Sequence, residues 1–184
     1  MRTVPRARAL RIIYWNVVLA VTIVSMAGVA FLRRVHRYDD LIVKASREQN
    51  LDPRLVAALI WRESRFDANR IGSKKEVGLM QVTETAGLEW AKASGVIDFS
   101  RGALFNPVTN LQAGTWYLAR AIRRWSDRPD PLPFALAEYN AGRFNAQRWA
   151  AGSGPNGRKF WENIGFPTTK RYVRDILKRY RGGV

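Results

Sequence analysis

The sequence predicts a mainly α-helical protein, one globular domain behind a single N-terminal transmembrane helix. Three observations carry this. An apolar stretch of 21 residues free of Asp, Glu, Lys and Arg lies near the N-terminus and is long enough to cross a bilayer. Beyond it, apolar residues recur at intervals of three and four, with no sustained alternation of period two. Two pairs, Asp52-Pro53 and Asn106-Pro107, put a side-chain oxygen at an N-cap and proline at the first helical position. With 184 residues, 47% of them hydrophobic and 25% charged, the chain can bury one ordinary core.

Residues 1–11 form a basic tail and residues 12–32, IIYWNVVLAVTIVSMAGVAFL, the span. As a helix the span is about 32 Å long, close to the hydrocarbon thickness of a membrane. Tyr14 and Trp15 lie near one end, where amphipathic rings prefer the interface. A cleaved signal sequence stays open as an alternative, since Ser25-Met26-Ala27 and Gly28-Val29-Ala30 are small-x-small triplets. Arginines on both flanks argue against a buried core helix, and for the same reason the positive-inside rule gives no orientation.

The domain, residues 38–184, reads as a succession of helices. Residues 38–49 carry Leu41, Ile42, Ala45 and Gln49 on one face. The helix opened by Asp52-Pro53 runs to about Ser64, with Val56, Leu59, Ile60 and Glu63 at i, i+3, i+4 and i+7. Thr83 caps a shorter helix that stops at Gly95. Asn106-Pro107 opens a long helix with Val108, Leu111, Leu118, Ile122 and Trp125 as its stripe. Asp130-Pro131 precedes a helix that breaks near Gly142, and residues 152–157 are a loop. Thr168 caps a last helix whose buried face is Tyr172, Val173, Ile176, Leu177 and Tyr180.

Charge and composition narrow the chemistry. The net charge is +16. Residues 1–37 hold seven Arg and no acid, leaving 24 Lys and Arg against 15 Asp and Glu, a net +9, for the rest. Such a domain suits an anionic surface or polymer: phospholipid, nucleic acid, or a cell wall bearing carboxylates and phosphates. There is no cysteine, which excludes disulfides, Cys-ligated metals and a lipidated Cys anchor. A lone His36 leaves neither a His-rich metal site nor a Ser–His triad.

Glu63 is the most informative position. It lies along the apolar stripe, at the C-terminal end of its helix. Desolvation there disfavours the charged form, and the helix dipole pushes the same way. A carboxyl that keeps its proton near neutral pH is what a general acid needs. The plain alternative is an ion pair with Arg62, Arg65 or Arg70.

Glu63 also keeps informative company. Glu63-Ser64-Arg65-Phe66 at a helix end is followed, fifteen residues after the Glu, by Gly78-Leu79-Met80-Gln81. Ala137-Glu138-Tyr139-Asn140-Ala141-Gly142 and Thr169-Lys170-Arg171-Tyr172-Val173 come next, and the long helix carries Asn110, Leu111, Gly114, Tyr117 and Leu118. In these segments, over about residues 40–178, the chain resembles the lytic transglycosylases of the soluble, goose-type-lysozyme-like class. The resemblance implies a lysozyme-like fold, α with at most a small β element. It implies that Glu63 is the catalytic acid/base and that Ser64, Ser73, Met80, Gln81, Tyr139, Asn140 and Tyr172 bind substrate. Tyr172 would be the phenol beside the catalytic carboxyl. Met80 and Tyr172 also fit core packing, and Tyr139-Asn140 also fits a plain helix end. Glu138 is the rival carboxylate.

The implied reaction cleaves the β-1,4 bond from N-acetylmuramic acid to N-acetylglucosamine without water and leaves a 1,6-anhydro end. It needs no metal and no organic cofactor. The implied partners are peptidoglycan strands and the inner membrane, held through residues 12–32 with the domain on the periplasmic side. The short link from residue 32 to the first helix would keep the site near the outer face of the bilayer. Cell-wall assembly proteins are open as further partners, and no nucleic acid is expected. A glycan-binding protein without activity on the same fold, or a basic membrane-associated nucleic-acid-binding protein, are the competing classes. The family commonly has Ser nine residues after the Glu; here Gly72 stands there and Ser73 follows. A proline usual after the Gly-Leu-Met-Gln segment is Glu84. Arg70, Lys74 and Lys75 make the intervening loop basic.

Overall fold

The computed structural model describes residues 6–154 and 157–182. The chain divides into two units, Met1–Tyr38 and Asp39–Val184.

The first unit is built on α1 (Arg6–His36), which contains the expected span and extends past both of its ends. Residues 6–11 of the expected tail are helical, and residues 1–5 lie outside the described residues. By length and composition α1 is apolar enough to cross a membrane, and the apolar side chains of residues 10–30 are exposed. Arg33, Arg34 and His36 close the last turn, where positive charge complements the helix dipole.

In the second unit, α2 is Asp39–Glu48 and α3 Pro53–Glu63; α4 is Glu84–Ala93 and α5 Pro107–Arg124. Then follow α6 (Leu132–Ala141), α7 (Arg143–Ala150), α8 (Gly157–Asn163) and α9 (Pro167–Gly182). A 3-10 turn, Arg101–Phe105, precedes α5. The predicted caps form: the Asp52 side chain accepts the Arg54 amide at 2.8 Å, that of Asn106 the Val108 amide at 2.9 Å, and that of Thr83 the Ala86 amide at 3.2 Å. No strand forms among the described residues. The β element is two antiparallel bridges, Ile71 with Val77 and Val77 with Val82.

Four expectations need correction. The last helix starts at Pro167, with the Phe166 carbonyl taking the Lys170 amide at 3.0 Å, so Thr168 is inside its first turn rather than its cap. Helices α7 and α8 have no counterpart in the predicted elements. They are short, and α7 follows Gly142 without a side-chain cap. Gly157 belongs to α8 rather than to the 152–157 loop, whose Pro155 and Asn156 lie outside the described residues. Val108, placed on the buried stripe of α5, is 43% exposed.

Helix α6 is the centre of the domain. It packs against α5, α7, α8 and α9, and its residues 133–138 are all buried. Beside it Trp125 stacks on Phe134, and Phe134 on Phe160, with ring centroids 5.2 and 3.9 Å apart. Each fully buried Phe contributes about 2–3 kcal/mol.

The loop between α3 and α4 is clasped from α5. Asn110, fully buried, donates from Nδ2 to the carbonyls of Val77 (2.8 Å) and Leu104 (2.9 Å) and accepts the Met80 amide at 2.8 Å. Gly78, at φ +81, has no room for a Cβ: Asn110 and the Leu104 carbonyl fill the space. At Gly114, one turn along α5, a Cβ would overlap Met80 Sδ. Asn110, Gly114 and Tyr117 thus form an i, i+4, i+7 face against the loop.

Asn110→Ala would leave the Met80 amide and the Leu104 carbonyl unpartnered, while the Val77 carbonyl keeps the Val82 amide, and is expected to cost about 2–4 kcal/mol. Urea unfolding of the full chain in detergent micelles measures it; a loss below about 1 kcal/mol would show that the clasp is not what holds the loop.

Candidate active site

Glu63 is the last residue of α3, and the chain turns away sharply after it. Ser64 caps the helix, and Arg65 and Phe66 both take positive φ, 54° and 62°. Two consecutive left-handed residues without glycine are costly, of order 1–3 kcal/mol each, and persist where surroundings enforce them. Here Phe66 is 4% exposed and Ser64 Oγ donates to the Leu79 carbonyl at 2.8 Å, tying the helix end to the loop.

From the far end of the domain, Tyr172 on α9 donates its hydroxyl to Glu63 Oε1 at 2.5 Å. Two of the nearby arginines are engaged elsewhere. Arg62 pairs with Asp175 at 3.5 Å and lies over the Tyr172 ring, and Arg65 lies over Trp61. Among the described residues Glu63 makes no ion pair, so the plain alternative does not form. Desolvation by burial dominates and raises its pKa from 4.5 to about 7. The Tyr172 hydrogen bond and the charges of Arg62 and Arg70 pull the other way, while Glu76 adds to the rise. Burial likewise pushes the phenols of Tyr139 and Tyr172 well above their ordinary value. Both stay protonated, so both can donate.

Glu63 opens onto a cleft of about 440 Å³. Of the expected substrate-binding residues, Ser73, Gln81, Tyr139 and Asn140 line it with Glu63. Tyr172 is 2% exposed and reaches the site only through its hydroxyl. Ser64 and Met80 need correction: both side chains are buried and neither lines the cleft. The Ser64 hydroxyl serves Leu79, and Met80 Sδ packs on Gly114, because the loop is pressed onto the core here. Met80 acts through its backbone, whose carbonyl accepts Tyr139 Oη at 2.9 Å. Gln81, at φ 49°, donates its side-chain amide to the carbonyls of Gly78 (2.9 Å) and Arg70 (3.1 Å). Thr169 donates to Asn140 Oδ1 at 2.7 Å and sets that amide at the cleft edge.

The rival carboxylate is committed elsewhere. Glu138 is 2% exposed, paired with Arg124 and accepting Trp125 Nε1–H at 2.9 Å. Glu84 lies in the first turn of α4, an anion at a helix N-terminus, and does not line the cleft. Three residues had no role in the sequence reading. Tyr117 lines the cleft and packs edge-on against Tyr139 at 5.7 Å. Asn110 holds the loop, and its heptad spacing from Tyr117 was the available signal. Glu76 also lines the cleft; the hint was Gly72, whose missing side chain leaves space to be filled.

Residues 40–161 match the family described as Transglycosylase SLT domain. Solved structures with this fold include an inactive mutant of lytic transglycosylase Slt from Pseudomonas aeruginosa: 23% identity, TM-score 0.70, covering 79% of this chain and 23% of that one. The 70 kDa soluble lytic transglycosylase of Escherichia coli matches at 26% identity and TM-score 0.71, over 79% of this chain and 24% of that one. A complex of the 70-kDa soluble lytic transglycosylase with bulgecin A matches at 24% identity and TM-score 0.72, over 95% and 28%. The chain spans about a quarter of the length of these solved relatives.

A carboxyl whose pKa is raised on folding penalises the fold once it ionises. The penalty is absent below pH 4.5, grows as pH rises through 7 and is complete above it, reaching about 3 kcal/mol. Glu63→Gln should therefore unfold at higher urea than wild type at pH 8 and at the same urea at pH 4. Equal midpoints at both pH values would mean that Glu63 titrates like a free glutamate. Tyr172→Phe removes a hydrogen bond that favours the carboxylate, so the Glu63 pKa should move above 7, as read by carboxyl-carbon NMR titration.

Proposed function

Because the chain belongs to the Transglycosylase SLT domain family, we propose that it is a membrane-anchored peptidoglycan lytic transglycosylase with Glu63 as its single acid/base. The observation that carries this is the desolvated Glu63 carboxyl held by Tyr172 Oη at the edge of the cleft. In the proposed reaction Glu63 gives its proton to the oxygen leaving from the muramoyl C1. The muramoyl 2-acetamido oxygen bonds to C1 as the glycosidic bond breaks, which is substrate assistance and needs no second protein nucleophile. Glu63, now a carboxylate, takes the proton of the C6 hydroxyl. That oxygen displaces the acetamido oxygen from C1 and closes a 1,6-anhydro ring. Atoms and protons balance without water, so the reaction is a lyase reaction.

Each neighbour has a task in this scheme. Tyr172 orients Glu63 and steadies it in the ionised half of the cycle. Ser73, Gln81, Tyr139 and Asn140 contact the glycan. Arg62, Arg70 and Lys74 share the cleft wall and favour the carboxylates of stem peptides. Helix α1 would hold the enzyme in the inner membrane in a single pass, with the site on the periplasmic side where the glycan lies.

Mass spectrometry of muropeptides released by the full chain in detergent tests the reaction. Wild type should yield anhydro-ended products and Glu63→Gln at least about 1,000-fold fewer. Hydrolysed ends, or full activity in Glu63→Gln, would overturn it; glycan binding without products would leave a binding protein. For the anchor, the expressed chain should stay with membranes through a carbonate wash at high pH. A soluble form whose N-terminus begins near residue 28 or 31 would mean a cleaved signal sequence.

A further inference from the structure

Gly72, nine residues after Glu63 and in the cleft wall, is where the family commonly carries Ser. The space is occupied. A Cβ on Gly72 would overlap Glu76 Oε2 and lie 3.1 Å from Glu76 Cδ and 2.7 Å from Gln81 Oε1. The Glu76 carboxylate therefore fills the volume that a side chain at residue 72 would take, so a hydroxyl is exchanged for a carboxylate reaching in from four residues on.

Glu76 is held from two sides. The Lys74 amide donates to Oε2 at 2.8 Å, and the Gly72 amide donates to the Glu76 carbonyl at 2.8 Å. Among the described residues nothing donates to Oε1, and no Lys or Arg comes within ion-pair distance, although Arg70 and Lys74 line the same cleft. A fixed carboxylate with one oxygen unspent, in the wall of a sugar-sized cleft, is an acceptor for a ligand N–H or O–H. Its charge favours positive charge that develops beside it.

The reaction proposed above develops such a charge. When the acetamido oxygen bonds to C1, positive charge spreads onto the amide nitrogen and its N–H becomes a stronger donor. On that reading, we propose that Glu76 is a further catalytic residue, whose carboxylate accepts the muramoyl acetamido N–H and counters the charge of the ring-closed intermediate. No proton leaves the nitrogen. Glu76 starts and ends as a carboxylate, while the proton lent by Glu63 is returned from the C6 hydroxyl.

The test uses the full chain in detergent with Glu76→Gln, Glu76→Ala and Glu63→Gln. The readouts are kcat and KM for anhydromuropeptide release and the binding constant of a sugar thiazoline, a stable mimic of the ring-closed intermediate. Glu76→Gln keeps the volume and the Lys74 contact, so its unfolding midpoint should stay near wild type. It should lower kcat about 10–100-fold with KM within about threefold, and weaken the thiazoline by a comparable factor. Glu76→Ala, lacking both charge and acceptor, should lose at least as much. Wild-type kcat and thiazoline affinity in Glu76→Gln would overturn the proposal. So would a fall in kcat with thiazoline affinity intact, which would leave Glu76 shaping the loop alone. Failure of the underlying reading looks different: wild type would make no anhydro ends, or Glu63→Gln would keep full activity.

Discussion

The hydrogen bond from Tyr172 to Glu63 joins residues 109 positions apart and closes the domain over its own carboxyl. For it to form, α3 must end at Glu63 and α9 must lie against α3, which it does. The fold then removes the carboxyl from water while leaving it one strong donor. Desolvation raises the pKa and the phenol restrains that rise. A carboxyl poised between its two forms near neutral pH suits a group that must give and then take a proton in one cycle.

The charges around the site are arranged to keep that balance. A domain so rich in arginine could neutralise Glu63 with a salt bridge, which would favour the carboxylate and spoil the acid. Instead Arg62 turns to Asp175, Arg65 and Arg179 lie over Trp61, and Arg124 takes Glu138. The cation–π contacts hold guanidinium groups near an aromatic face rather than near the carboxyl. Glu76 acts in the same sense, adding negative charge beside Glu63.

Shape comes from the loop between α3 and α4. Its backbone is spoken for almost group by group: Asn110, Ser64, Tyr139 and Gln81 each bond to it. Such a loop behaves as rigid wall: positive φ at Gln81 sits among these bonds, and at Lys75 the amide donates to the Gly72 carbonyl while Arg101 donates to the Lys75 carbonyl. Small residues matter for the same reason. Gly78 and Gly114 let the loop approach α5, and Gly72 makes room for a carboxylate in the cleft.

Much of this was written in local pattern. The starts of α3 and α5 are legible in Asx-Pro pairs because capping is a contact within one turn, and Glu63 on an apolar stripe follows from the helical period alone. The mainly helical class and the spanning length of residues 12–32 are equally local properties. Contacts between distant segments were decided by tertiary structure. Which arginines pair away from Glu63, that Ser64 and Met80 serve the scaffold while Gln81 lines the cleft, and that Glu138 is locked to Arg124 are all matters of packing. Short α7 and α8 are stabilised by what they lie against, so their own residues carry little signal. The sequence by itself determined a helical domain with one greasy-faced glutamate. Only the fold determined that this glutamate is hydrogen-bonded to a phenol and, among the described residues, ion-paired with no cation, because desolvation and pairing depend on neighbours that arrive from elsewhere in the chain.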